Sequence, residues 1–479
     1  MTYRPSGPAP GEDDGAREGV EGVAVGNIRT SESTRRDHGE GGRAAGRAVR
    51  CLLGGSLVAG TLAAGGGALL TAAPVGAAAT SSGICTPALA PTPAQQGSTT
   101  GVTPKSVTVG NVSIISGPVP SLFEGASIGV KAYFAMVNAQ GGVHGRKLIV
   151  DSKDDAFSGQ QNQSDTQAAI NSDFALVGSF SLFDGFGCAA LASNTAVPDV
   201  SVTLDSGTDA LPNDFSVQPL AREETLGPVD YYKKHFPKDM TVGVIVSDVA
   251  SAKSQIAGQL AAMKSEGYKI GYVEDVNPLQ SDFTTSVINM KNAGVNAVDL
   301  GGVDWQDAAI FVQNAATQNW HPGLIFTTGP AYADQFISHA GGPAATNGIQ
   351  VGQVYALYLG QDSKAVPAVK QFLSYLKKVN PSWVPDLYTL FGWASADLFV
   401  QALKAAGPNP TRGAVIAQLK KITSFSANGL MATADPPAKT LSPCFLMAVI
   451  KNGTYVRELP KGTGFDCNAK SFNTSGVSP

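Results

Sequence analysis

From residue 105 onward, short apolar and β-branched runs alternate with longer stretches whose apolar positions recur every three or four residues. Val107 to Ile114 is the first run, and Leu122 to Ala139 follows at helical spacing and stops on Gly141-Gly142. Lys147 to Asp151 is the next predicted strand, then come a helix over about Gln160 to Ala169 and a strand over Ala175 to Gly178. A short helix near Gly185 to Asn194 leads to strands over Val197 to Val202 and Phe215 to Gln218. In a second group, strands over Thr241 to Ser247, Tyr268 to Val273, Val295 to Gly301 and Leu324 to Thr328 alternate with helices. Those helices are Ser254 to Glu266, Phe283 to Ala293, Trp305 to Gln318 and Ala333 to Ala340. Strands that read as continuous apolar runs are covered on both faces, as parallel strands are, so two alternating groups predict two α/β lobes. After Gln350 to Tyr358 come three helical patterns, about Ala365 to Val379, Leu387 to Ala406 and Thr411 to Ile422. Phe445 to Lys451 and Thr454 to Glu458 flank Asn452-Gly453, a strong hairpin signal.

Residues 1–50 are rich in Gly, Glu and Arg with almost no apolar periodicity and are predicted to be a disordered extension. Arg43, Arg47 and Arg50, the apolar run from Leu52 to Ala73 and the small residues Ala77-Ala78-Ala79 predict a secretory signal over 51–79. The run is also long enough for a membrane anchor, but Gly54, Gly55, Gly60 and Gly65 to Gly67 make it weakly hydrophobic. Arg35-Arg36 is followed by Asp37-His38-Gly39 rather than by apolar residues, which argues against a twin-arginine signal. Residues 80–104, rich in Pro, Thr and Gln, read as a linker, and 468–479 as a flexible polar tail.

Composition narrows the function. A chain of 479 residues is long enough for two or three domains. Its net charge of −4 and low charged fraction provide no concentrated basic surface, which argues against nucleic-acid binding. The histidines His38, His144, His235, His321 and His339 lack the spacing of metal ligands, so no metal site is expected. The chain contains no nucleophile elbow, phosphate loop or dinucleotide fingerprint, so neither a cofactor nor catalysis is expected. Cys51 lies in the leader and leaves Cys85, Cys188, Cys444 and Cys467, an even number that fits two disulfides in an oxidising compartment. Of the three connectivities, Cys85 with Cys188 and Cys444 with Cys467 is preferred, because the second pair brackets the hairpin. Cys85 could alternatively carry a lipid, although Ile84 precedes it where a small residue is expected.

The segment Asn138-Ala139-Gln140-Gly141-Gly142-Val143-His144-Gly145-Arg146 combines a helix ending on two glycines, a tight turn and an Arg entering a strand. Leu176-Val177-Gly178 precedes a Ser-containing loop, Ala196-Val197-Pro198 precedes a strand, and Phe391-Gly392-Trp393-Ala394-Ser395-Ala396-Asp397 opens a late helix. In these segments the chain resembles the branched-chain amino-acid (Leu/Ile/Val) binding protein family, and the similarity extends over nearly all of the mature region. The resemblance implies the type I periplasmic-binding-protein fold, an α/β arrangement of two Rossmann-like lobes with parallel sheets joined by a three-segment hinge. Lobe 1 would span 105–220 plus about 353–430, and lobe 2 would span 221–351 plus about 431–467. The implied function is that of a non-catalytic extracytoplasmic solute-binding protein. It would capture an amino acid or related compound, such as an amide or aromatic acid, and deliver it to an ABC permease in the membrane. The alternative is a ligand-sensing receptor subunit that uses the same clamp to signal through a membrane partner.

In parallel sheets, small molecules bind beyond the carboxyl ends of the strands. The candidate loops are Ser116 to Ser121, Ser179 to Phe183 and Thr203 to Asp205. The resemblance implies that the last two grip a ligand carboxylate, which makes Ser179, Ser181 and Thr203 the carried-over site residues, with Ser116 and Phe180 beside them. The same hydroxyls would also serve as ordinary caps. In the second lobe, Ser247-Asp248-Val249-Ala250-Ser251-Ala252 replaces the aromatic-Gly pair common in the family. Asp304 is placed to pair with a ligand ammonium or to cap the following helix. Phe180, Phe183, Phe186, Trp305 and Tyr332 together would line a cleft for an apolar or aromatic ligand, although helix packing also accounts for Phe183 and Phe186. Asp154-Asp155, after the second strand, reads as a solvated strand end.

Overall fold

The computed structural model describes residues 85, 88–219, 223–237, 239–278, 280–441, 443–474 and 477. The predicted extension and signal over 1–79 lie outside them. Strands β1 (Ser106–Ser113), β2 (Lys147–Asp154), β3 (Leu176–Val177) and β4 (Asp199–Val200) form a parallel sheet in the order β2-β1-β3-β4. β1 and β2 run in register from Ser106 opposite Lys147 to Ser113 opposite Asp154.

The Glu124–Ala139 helix packs on β1 and β2, and the Leu387–Ala405 helix lies beside it against β3 and β4, so both helices are buried nearly all round. Glycine permits their close approach. A Cβ on Gly129 would stand 2.0 Å from the Thr389 carbonyl oxygen, and one on Gly392 would stand 1.9 Å from that of Ala126. Tyr133 Oη donates to Asp397 Oδ1 at 2.7 Å across the same interface.

The second sheet takes in β6 (Thr241–Ser247), β7 (Lys269–Val276), β8 (Ala297–Gly302), β9 (Leu324–Thr327) and β10 (Gln350–Gln353), numbered after β5 (Glu223–Thr225). These five are parallel in the order β10-β9-β8-β6-β7. After β11 (Ala434–Asp435) and β12 (Thr440–Leu441), the hairpin β13 (Leu446–Lys451) and β14 (Thr454–Leu459) adds antiparallel strands beside β10 and completes seven strands. The chain therefore crosses between lobes three times: after β4, after β10 and before β13. This is the type I periplasmic-binding-protein fold.

Several expectations need correction. Residues 88–104 are not a free linker: Pro93–Gln96 is a helical turn, Leu89 N donates to Ala192 O, and Arg412 N donates to Ser98 O. The tail is not free either, since β15 (Ser471–Asn473) pairs antiparallel with β5. Phe215 to Gln218 forms no strand. It is a loop whose Phe215 and Val217 side chains enter the core, which explains its strand-like pattern. Pro367, which has no N–H to offer, begins a new helix at Pro367–Val379 and so splits the pattern read over Ala365 to Val379. The structure pairs Cys85 with Cys188 and Cys444 with Cys467, with Cα separations of 5.3 and 3.9 Å.

Candidate functional site

The carboxyl ends of β6, β8 and β9 face loops of the first lobe across a cavity of about 560 Å³, within the roughly 300–1,000 Å³ usual for small-molecule sites. The first-lobe wall is aromatic. Phe123 and Phe180 meet edge to face at 4.4 Å, Tyr388 lies 4.6 Å from Phe123 and 5.1 Å from Phe180, and Phe391 stacks on Phe180 at 5.9 Å. Leu122 and Phe123 arrive on the turn before the Glu124–Ala139 helix, while Tyr388 and Phe391 come from the first turns of the Leu387–Ala405 helix. The close helix pairing at Gly129 and Gly392 therefore also sets the spacing of this wall.

Crossing segments form the floor. Tyr355, after β10, donates from its hydroxyl to Gln218 Oε1 at 2.9 Å, which ties two crossings together inside the cavity. Burial pushes the Tyr388 phenol well above its ordinary value, and the carboxylate of Asp304 in the opposite lobe adds to the shift. Among the described residues, no Lys, Arg or His lines the cavity. A ligand's negative charge would find no ion-pair partner there.

Of the residues expected from the sequence, Phe180, Thr203 and Asp304 reach the cavity. Asp304 also caps the Trp305–Thr317 helix, accepting from the backbone N–H groups of Gln306 and Asp307 at 2.8 and 3.0 Å. The Thr203 hydroxyl donates inward to Asp214 Oδ2 at 2.6 Å. The structure does not bring the remaining residues to the cavity. Ser179 Oγ accepts from Val112 N, and Ser181 donates to Asp155 Oδ2, so both hydroxyls serve the interior of the first lobe. Ser116 is exposed, with its N–H on Asp154. Trp305 packs against His339, and Tyr332 is core, edge to face with Tyr358 and Tyr455. Phe183 and Phe186 pack on each other, and Phe157 meets Phe183. Asp155, read as solvated, is fully buried and also accepts from Asn162.

Behind the Thr203 loop lies a set of buried acids. Burial, reinforced by the charge of Asp214, pushes Asp199 up to about 8. Burial alone is the main cause that pushes Asp184 up to about 7. Lys439, on the turn between β11 and β12, reaches across to Asp214 Oδ1 at 2.6 Å and anchors the third crossing to the first lobe.

Two α/β lobes, three crossings and a cavity lined from both sides define a two-lobed ligand-binding protein. The chain belongs to the periplasmic binding protein family, whose model matches residues 106–454. It is 23% identical over 330 residues to the Leu/Ile/Val-binding protein homolog 7 of Brucella abortus, covering 66% of this chain and 80% of that one. A fatty acid ABC transporter substrate-binding protein from Thermomonospora curvata shares the fold, with TM-score 0.63 at 18% identity over 78% of this chain and 94% of that one. So does a branched-chain amino acid transporter substrate-binding protein from Streptococcus pneumoniae in complex with isoleucine, with TM-score 0.59 at 17% identity over 76% and 99%.

Proposed function

We propose that this chain is an exported, non-catalytic solute-binding protein that holds a small molecule in the interlobe cleft and delivers it to an ABC importer. The observation that carries this reading is the two-sided cavity: the aromatic wall belongs to one lobe, and the strand ends and Asp304 belong to the other. A ligand touching both walls stabilises the closed arrangement by its differential contacts, and this is the free energy that a closing clamp uses. The aromatic wall favours a ligand with an apolar or aromatic body. The secretory signal read over 51–79 supports export. Of the two similar solved structures, one is a fatty acid ABC transporter substrate-binding protein and the other is in complex with isoleucine, so family membership alone does not select the ligand.

The test is a thermal-shift screen of purified protein, stripped of carried-over ligand by unfolding and refolding, against amino acids, amides, aromatic acids and alkyl compounds. A ligand that binds only the native state raises stability by roughly 2.7 kcal/mol at a hundredfold excess over Kd. The expected result is a saturable rise in Tm, with a fall in the radius of gyration by small-angle scattering. If no compound class moves either quantity, the reading is wrong.

A further inference from the structure

The cavity does not end at the interlobe cleft. It continues into the second lobe, between the sheet and the Ala250–Ser265 helix, under a roof made by the β5–β15 ribbon. Met263, Tyr232 and Phe326 line this annex with apolar surface, and Thr474 and Val477 close it from the chain's C-terminal segment. Glycines keep it open. Gly258, Gly301 and Gly352 line the space, and a Cβ on Gly258 would lie 3.1 Å from Thr474 Cγ2 and 3.4 Å from Glu224 Oε1.

Among the described residues, two acceptors in this space lack a donor, and the Ser251 hydroxyl is also buried there without a partner. Glu224 lines the annex, and among the described residues no hydrogen bond is formed to its carboxyl, which burial pushes up to about 7. Gln353, whose Nε2 donates to the Tyr355 carbonyl, keeps its Oε1 buried and without a donor. Buried acceptors left unpaired are costly. A ligand that donates a hydrogen bond removes that cost, and one ending in a carboxylate adds repulsion.

We propose that the ligand is an elongated, mainly apolar molecule that threads from the aromatic wall into the second-lobe annex and places an amine or hydroxyl end on Glu224. The proposal rests on the solute-binding reading and names the substrate class for the same cavity. Calorimetric titration with n-hexylamine, n-octylamine and n-decylamine tests it. Affinity is expected to rise roughly fourfold per added methylene. Gly258→Leu, which fills the annex with a residue of good helix propensity, should abolish that rise while circular dichroism reports a native fold. Glu224→Gln should weaken octylamine about tenfold, as loss of a charge-assisted bond does, and leave 1-octanol unchanged. If Gly258→Leu does not fold, the Glu224→Gln comparison carries the test alone. Affinity that does not rise from hexylamine to decylamine, decylamine binding unaltered by a folded Gly258→Leu protein, or equal losses for amine and alcohol in Glu224→Gln would overturn the annex proposal. None of those results touches the solute-binding reading, which fails only if no compound shifts Tm or closes the lobes.

Discussion

The hydroxyls of Ser179, Ser181 and Thr203 sit on the loops where a parallel sheet offers its binding surface, yet each is engaged by the interior of its own lobe. The cause is the demand of nearby buried groups. Asp155 is fully enclosed and must be paired, and the Ser181 hydroxyl and the Asn162 amide supply that pairing. Val112 N, on the β1 strand, has the Ser179 hydroxyl as its acceptor. Ser181→Ala should therefore cost about 2 kcal/mol of stability, the range for a bond to a buried charged group, and leave ligand affinity as it was. Urea unfolding beside a titration reads both, and a large affinity loss at unchanged stability would return Ser181 to the site. Nothing in the local sequence separates a hydroxyl that grips a ligand from one that satisfies a buried carboxylate. The buried state of Asp155 decides the matter, and only packing reveals it.

At the scale of elements, two of the four sequence segments that carry the family resemblance are largely architectural, Phe391 in the cavity wall excepted. In the first, Asn138 exchanges two hydrogen bonds with Leu148 on β2, the glycines at 141, 142 and 145 adopt positive φ, and Arg146 reaches the carbonyls of Thr103 and Pro408. In the second, Gly392 admits the backbone of the Glu124–Ala139 helix, and Asp397 receives the Tyr133 hydroxyl. Gly392→Ala should cost about 2–3 kcal/mol, because a methyl group there meets a backbone carbonyl and the helices must separate. Equilibrium unfolding checks this value, and a neutral result would mean that the pair has slack. The long strands and helices were legible because their periods are strong. Most elements missed or misread, among them β5, β15, β11, β12 and the Phe215 loop, are two to four residues long, where periodicity carries little information and the partner strand decides; the nine-residue Gly227–His235 helix was missed as well.

Across the whole molecule, buried acids occur in both lobes: Asp184 and Asp199 in the first, Asp299 and Glu224 in the second, each raised chiefly by burial to about 7 or 8. A carboxyl raised in the folded state keeps a proton that the unfolded chain releases above about pH 4. Its contribution is therefore fully present at low pH and is lost as pH rises through the folded value. Thermal stability should fall between pH 5 and pH 8, and Asp199→Asn, which remains neutral throughout, should flatten part of that slope. Identical slopes in the two proteins would remove Asp199 as a cause. The sequence by itself determined the fold class, the family and the residues of the two disulfides, because apolar period, glycine placement and cysteine count are local properties of the chain. The tertiary structure alone decided which side chains meet in the cavity. Phe123, Tyr355 and the Tyr388–Phe391 pair are distant in sequence and read as helix or strand core, and they line one cavity only because packing and chain crossings bring these segments together.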